Sequence, residues 1–127
     1  DASQQLTPND LRELLSRLIL RNPVASDPKV LDVLGELRQQ IDLYDEHLLD
    51  IMEQRMKVAE TIGAYKKENN ITILQSARWD EIMKKVVAKG VSKGLSAEVI
   101  DTIFKAIHQE SINHQMKVMN NGIKKED

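Results

Sequence analysis

Residues 50–70 read DIMEQRMKVAETIGAYKKENN, and the helical pattern around this stretch decides the fold. Steps of four and three residues select one seam along a helix, formed by Leu48, Met52, Arg55, Ala59, Ile62 and Lys66. This spacing is typical of the side of a helix that faces a core or a partner helix. Arg55 and Lys66 place positive charges on that seam, where packing favours hydrocarbon. The stretch therefore predicts a packed helix with two cations on its inner face.

This helix is predicted to be very long. Ser26 or Asp27 suits a cap, Pro28 suits the first turn, and no strong breaker follows until the ENN sequence at 68–70. Internal glycines weaken a helix only modestly. A helix of about 40 residues is roughly 60 Å long and cannot bury itself. We therefore expect a partner helix, supplied by a second copy of the chain, along most of its length.

Three shorter helices complete an all-α prediction with no convincing strand. Caps and breakers place them at 8–21, 77–89 and 97–119, after the capping residues Thr7, Ser76 and Ser96. Gly90 and Gly94 are interpreted as turn residues, and NNG at 120–122 as the end of the last helix. The last three helices form the predicted core unit, with the very long helix at its N-terminus and a short helical appendage before it.

The predicted domain organisation has three segments. These are an appendage or linker at 1–26, a helical domain at 27–122, and a frayed tail at 123–127. The chain begins at Asp1 rather than Met, and we expect it to be a piece of a longer protein.

The composition excludes several classes of protein. The 127 residues suffice for one domain, and 41% hydrophobic with 30% charged residues indicates a globular chain. A formal net charge of −2 gives no support for binding to nucleic acid or to an acidic membrane. The absence of cysteine excludes disulfides and thiolate metal sites and makes a cytoplasmic location the default. The three histidines lack metal-ligand spacing, so no metal site is predicted.

Polar residues also interrupt the apolar seams of the last two helices. One seam runs through Ile100, Phe104, Ile107, Ser111 and Gln115 and turns polar in its second half. Arg78 lies on the apolar side of the preceding helix, which is predicted at 77–89. Burying one unpaired cation costs several kcal/mol, so water, carboxylates or an anionic ligand must meet these groups. For a single arginine, the simpler alternative is a side chain that reaches solvent.

The joint pattern favours a pocket for a small dianion. Lys66 follows Arg55 by 11 residues, which places the two on one face, about 16 Å apart along the axis. Arg38 differs from Arg55 by about 100° in phase and cannot easily reach the same pocket. On a long helix paired with its twin, Arg38 is positioned to reach the pocket of the other copy.

Three separate motifs resemble those of the all-helical chorismate mutases. They are LRQQIDLYDEHLLDIMEQRMKVAETIGAYKKENN, the arginine at position 78, and IHQESINHQ late in the last helix. The resemblance covers about residues 30–119 and is specific, because the order and spacing of the motifs agree. It implies an intertwined homodimer with three helices per protomer. It also implies conversion of chorismate to prephenate, an intramolecular Claisen rearrangement, without metal or cofactor.

The resemblance assigns roles to the basic residues. Arg38 would be borrowed from the partner protomer, and Arg55 would bind a substrate carboxylate. Arg78 occupies the usual arginine position at the start of the second of the three mutase helices, which is the helix predicted here at 77–89. Ser111 would assist carboxylate binding. Lys66 would contact the ether oxygen and a carboxylate.

Further assignments concern the ether oxygen and the hydroxyl of the substrate. Gln115 matches the residue that hydrogen-bonds the ether oxygen. Two positions depart from the family pattern, because some relatives have Asp in place of Gln75 and Glu in place of Trp79. Trp79 cannot accept a hydrogen bond as a carboxylate does, so the backbone near Gln75 is the expected hydroxyl contact.

The N-terminal sequence DASQQLTPNDLRELLSRL resembles the end of a DAHP synthase of the type fused to such a mutase. A helical appendage of no separate function is the alternative. Two alternatives to mutase activity also stay open. They are isochorismate-pyruvate lyase, which shares this fold, and a non-catalytic helical dimerisation or regulatory module.

Overall fold

The computed structural model describes residues 6–19 and 24–124, and within these ranges the chain is all-helical and has no strand. The helices are α1 (Pro8–Ile19), α2 (Pro28–Glu68), α3 (Ser76–Ser92) and α4 (Ala97–Lys124). No helix of the described ranges is both long and apolar enough to cross a membrane. The all-α prediction is confirmed.

The long helix α2 has the predicted bounds and contains 41 residues. The Asp27 carboxylate accepts a hydrogen bond from the backbone N–H of Lys29 at 2.9 Å, and Pro28 opens the first turn. At the other end, Asn70 adopts a left-handed conformation with φ of 55°. The N–H of Ile71 then bonds to the carbonyl of Lys66 at 2.9 Å, which closes the helix.

Two compact units divide the chain between Asp45 and Glu46, inside α2. The first unit contains α1 and the beginning of α2. Thr7 and Asp10 cap α1 reciprocally, with N–H to side-chain oxygen distances of 3.1 and 3.2 Å. The predicted end of α1 at residues 20 and 21 lies outside the described residues. The second unit contains the rest of α2 with α3 and α4.

The predicted end of α3 was wrong, because Gly90 lies inside the helix and is buried. A Cβ atom at Gly90 would lie 2.5 Å from Cγ1 of Ile100, so the glycine allows α3 and α4 to approach closely. The helix continues to Ser92, and the turn residue is Gly94, with φ of +89°. A glycine that serves packing has the same sequence signature as one that serves a turn.

Helix α4 begins as predicted, since the backbone N–H of Val99 bonds to the Ser96 hydroxyl at 3.2 Å. Its predicted end was wrong, because the helix continues through the NNG sequence at 120–122 to Lys124. Asn and Gly lower helix propensity by about 1 kcal/mol or less each, which a helix of 28 residues can absorb. Residues 125–127 of the predicted tail lie outside the described residues.

Few large side chains are buried in the described chain, and many apolar ones are exposed. Met56, Ala59 and Ile100 are the buried apolar residues. Leu49 and Ile51 on α2 are 66% and 65% exposed. Exposed apolar surface on this scale is typical of a chain that packs against a partner.

A histidine joins α2 to α4 within the second unit. His114 on α4 bonds through Nδ1 to the Glu60 carboxylate on α2 and through Nε2 to Glu110, both at 3.0 Å. The hydrogen bond to Glu60 is the main reason that the pKa of His114 is raised, and Glu110 adds to it against the opposing effect of burial. The His114 imidazolium is therefore favoured in the folded chain.

The His114 contacts predict a pH-dependent contribution to stability. Because the folded pKa lies above the unfolded value of about 6.5, the contribution is complete below that pH and is lost as pH rises through the folded pKa. We expect His114→Gln to lower the free energy of unfolding more at pH 6 than at pH 8.5. Urea unfolding at one fixed protein concentration measures both differences. An equal or larger effect at pH 8.5 would contradict the interpretation.

Candidate active site

A cavity of about 290 Å³ lies among α2, α3, α4 and the α2–α3 connection of the second unit. Its lining consists of Arg55, Val58, Ala59, Ile62, Lys66, Ile73, Gln75, Arg78, Trp79, Ile82, His108, Ser111, Ile112 and Gln115. Six of the seven site residues predicted from the sequence are in this lining. The seventh, Arg38, is exposed and belongs to the first unit.

The charges around the cavity have one sign. Arg55, Lys66 and Arg78 line it, and within the described chain no Asp or Glu does. In an environment partly shielded from water, such cations interact more strongly with an anion than they would in bulk water. The lining is therefore suited to a ligand that carries negative charge.

Arg55 and Ser111 link α2 to α4 at one side of the cavity. Nη1 of Arg55 donates a short hydrogen bond to the Ser111 hydroxyl. That hydroxyl donates in turn to the carbonyl of Ile107 at 3.0 Å, and Ser111 is only 6% exposed. The guanidinium is thus held in place and keeps further N–H groups for a ligand.

Lys66 and Gln115 form a second link between the same helices. Nζ of Lys66 donates to Oε1 of Gln115 at 3.0 Å and to the carbonyl of Ile73 at 2.7 Å. An ammonium has three donors, so one remains for a ligand. Because Oε1 of Gln115 accepts from Lys66, the amide nitrogen of Gln115 is a second available donor. Partial burial lowers the pKa of Lys66.

Arg78 and Gln75 come from the start of α3. Gln75 is the N-cap residue, but its side chain makes no capping hydrogen bond. Its carbonyl accepts from the backbone N–H of Trp79 at 3.2 Å. The positive end of the α3 dipole adds to the charge of Arg78 at this side of the cavity.

The interpretation of the sequence gave no role to His108, and it treated Trp79 as a departure from the family pattern. Both line the cavity, and their rings stack with centroids 3.7 Å apart and planes inclined by 16°. Burial lowers the pKa of His108, and the charges of Arg55 and Lys66 lower it further. The 3-4 spacing of His108, Ser111 and Gln115 was the signal that could have placed the histidine in the site. Within the described chain, no group of three or more His, Cys, Asp or Glu side chains could hold a metal ion.

A close approach of α2 and α4 brings these groups together. A Cβ atom at Gly63 would lie 2.9 Å from Cα and 3.1 Å from the carbonyl oxygen of Gln115. Since both are backbone atoms, no side-chain movement can make room. Gly63 therefore sets the distance between Lys66 and the helix that carries Gln115.

An all-helical chain that directs three cations into one cavity has the character of a small-anion-binding protein. Comparison with known protein families identifies the family of this chain. Residues 37–116, well over half of the chain, match the family model Chorismate mutase type II. The chain therefore belongs to the chorismate mutase type II family, and the prediction from the sequence is confirmed at the level of the family.

A curated relative agrees with this membership. The bifunctional chorismate mutase/prephenate dehydratase of Aquifex aeolicus (strain VF5) is 33% identical over 84 residues. The match covers 66% of this chain and 21% of the relative. The chain thus spans about a fifth of the length of the curated relative that it matches.

The two internal glycines of α2 provide a matched test of this packing. We expect Gly63→Ala to lower the free energy of unfolding by about 1–3 kcal/mol, because the added methyl group pushes α4 away. A Cβ atom at Gly35 would meet nothing within 4 Å, so Gly35→Ala is expected to be neutral or to stabilise by up to about 1 kcal/mol. Denaturant unfolding of both variants measures the difference. Equal effects at the two positions would contradict the proposed close contact.

Proposed function

We propose that this chain is a chorismate mutase that rearranges chorismate to prephenate in the biosynthesis of phenylalanine and tyrosine. The observation that carries the proposal is the cavity that Arg55, Lys66, Arg78 and Gln115 line together, with no lining carboxylate in the described chain. Membership of the family supports it. The family match does not favour the two sequence-based alternatives, isochorismate-pyruvate lyase and a non-catalytic module.

The proposed reaction requires a site that holds a dianion in a compact shape. A C–O bond of the ether breaks as a C–C bond forms within one molecule, so the enzyme needs neither a nucleophile nor a proton carrier. Arg55 with Ser111, and Arg78, are proposed to bind the substrate carboxylates. Held in this way, the two reacting ends of the substrate stay close together, and the entropy cost of that arrangement is met on binding.

The ether oxygen gains negative charge as its bond to carbon breaks. Lys66 and Gln115 are the proposed donors to this oxygen, and each keeps an available N–H beyond their mutual hydrogen bond. Donors that are already oriented before the reaction stabilise developing charge without reorganisation. Gln115 is only 9% exposed, which keeps competing water from its amide. The backbone at Gln75 is proposed to contact the hydroxyl of the substrate near the start of α3.

We also propose that the site is completed by a second protomer of an intertwined homodimer with three helices, α2 to α4, in each protomer. Arg38 would come from the partner. The exposed apolar side chains of α2, including Leu49 and Ile51, support an extensive interface, because water contact with them is unfavourable. A symmetric dimer would contain two such sites.

The proposal extends to the organisation of the protein. Residues 27–122 would form the mutase domain, with an appendage or linker at 1–26 and a short tail at 123–127. The appendage would be the end of a neighbouring DAHP synthase domain in a cytoplasmic two-activity enzyme. No metal or cofactor is assigned to the reaction.

Lys66 provides the direct test of the proposed chemistry. We expect the wild-type chain to convert chorismate to prephenate and Lys66→Ala to lower kcat by about 10²–10³-fold, as loss of one oxyanion donor does. Lys67→Ala is the matched control, because Lys67 is the exposed neighbour of Lys66 and does not line the cavity. The loss of chorismate, followed by absorbance, measures the turnover of each variant, and identification of the product shows which reaction takes place.

Each other outcome of that assay has a definite meaning. Salicylate and pyruvate as products would assign the chain as a lyase, and the absence of any turnover would favour the non-catalytic module. Normal turnover by Lys66→Ala would overturn the role of this lysine.

Mixing inactive variants tests the shared site. After subunit exchange, Arg38→Ala and Arg55→Ala chains form hybrid dimers with one intact site, so we expect about a quarter of wild-type activity to return. A mixture of Arg55→Ala and Arg78→Ala is the matched control, because both residues line the cavity of one chain and no hybrid site is intact. Hybrid dimers without recovered activity would argue against a contribution from Arg38.

A further inference from the structure

The stacked pair of Trp79 and His108 is the part of the cavity that the proposed chemistry leaves without a role. Trp79 belongs to α3 and His108 to α4, and both line the cavity beside the three cations. The proposed substrate offers two carboxylates, an ether oxygen and one ring hydroxyl. The cations, Ser111 and Gln115 account for the first three groups, whereas the hydroxyl has a proposed backbone contact at Gln75 and no side-chain partner.

We infer that His108 is a specificity-determining residue that hydrogen-bonds the ring hydroxyl of the substrate, and that Trp79 holds its imidazole in position. The inference deepens the proposed function and rests on it, since the hydroxyl belongs to the proposed substrate.

The chemistry of the imidazole fits a hydroxyl. Burial and the charges of Arg55 and Lys66 lower the pKa of His108, and Arg78 adds a third cation to the same lining. The ring is therefore neutral near pH 7, with one donor and one acceptor nitrogen. A hydroxyl has one donor and can also accept, so a neutral imidazole can accept a hydrogen bond from it or donate one to it.

The geometry leaves the ring nitrogens available. Stacking at 3.7 Å engages the face of the imidazole, whereas both nitrogens lie on its edge. Neither nitrogen bonds to another residue in the described part of the chain. The two rings come from different helices, so the stack also fixes the orientation of the imidazole relative to the start of α3. Trp79 has only an indole N–H and cannot accept, which makes His108 the acceptor of the pair.

A pair of rigid ligands isolates this one contact. Two bicyclic ether dicarboxylates that mimic the compact reacting shape, one with the ring hydroxyl and one without it, are titrated calorimetrically. We expect the wild-type protein to bind the hydroxylated ligand about 10-fold more tightly. In His108→Phe, which keeps an aromatic ring and removes the nitrogens, we expect this preference to fall to within about 2-fold of equality. His108→Met should lose it likewise, and His108→Gln should retain part of it.

Trp79→Phe is the matched control, because it keeps a stacking ring and is expected to keep the preference. A preference that disappears in Trp79→Phe but persists in His108→Phe would overturn the inference in favour of the indole N–H. Equal weakening of both ligands in His108→Phe would also overturn it, since the histidine would then serve packing alone. Chorismate turnover is assayed separately, so failure of the proposed function is seen as missing prephenate and failure of this inference as an unchanged ligand preference.

Discussion

The Lys66 ammonium lies between α2 and α4 and is partly shielded from water. Two hydrogen bonds replace the lost hydration, and the rest of the site depends on them. One acceptor is the amide of Gln115 on α4, and the other is the carbonyl of Ile73 in the connection to α3. These two bonds join α2, α4 and the α2–α3 connection to one charge. They are possible because Gly63 lets the backbone of α4 approach α2 directly. A site of this kind is organised before a ligand arrives, since its donors are already oriented by the protein.

Two sides of α4 make different contacts with α2, and both sets of contacts hold the second unit together. On one side, Ser111 and Gln115 receive hydrogen bonds from Arg55 and Lys66, and these contacts shape the cavity. On another side, His114 bonds to Glu60 and contributes nothing to the cavity lining. The carboxylates of the region are thus paired away from the cavity, and the cations that face it keep their positive potential for a ligand.

The sequence was informative where a pattern had one physical cause. Prolines and polar caps have few uses inside a helix, so the bounds of α2 were predictable from Asp27 and Pro28. The helical phase of Arg55, Lys66, Ser111 and Gln115 likewise indicated a common cavity, because charge on an apolar seam needs a partner.

The sequence was misleading where one residue type serves several purposes. Gly90 has the signature of a turn but allows close packing against Ile100, a difference that only the neighbouring helix decides. The spacing of His108 places it on the side of α4 that carries Ser111 and Gln115, but the ring against which it stacks belongs to another helix. These contacts depend on tertiary packing, which local sequence does not contain.

The two-sided attachment of α4 has a consequence for how the length of this chain can vary. One inserted residue in a helix rotates everything beyond it by about 100°. Between His108 and Gln115 such a change would turn the cavity residues away from α2. The connection between α2 and α3 is constrained too, because the Ile73 carbonyl binds Lys66. The turn at Gly94 is better suited to added residues, because a Cβ atom there would meet nothing within 4 Å and the turn does not line the cavity.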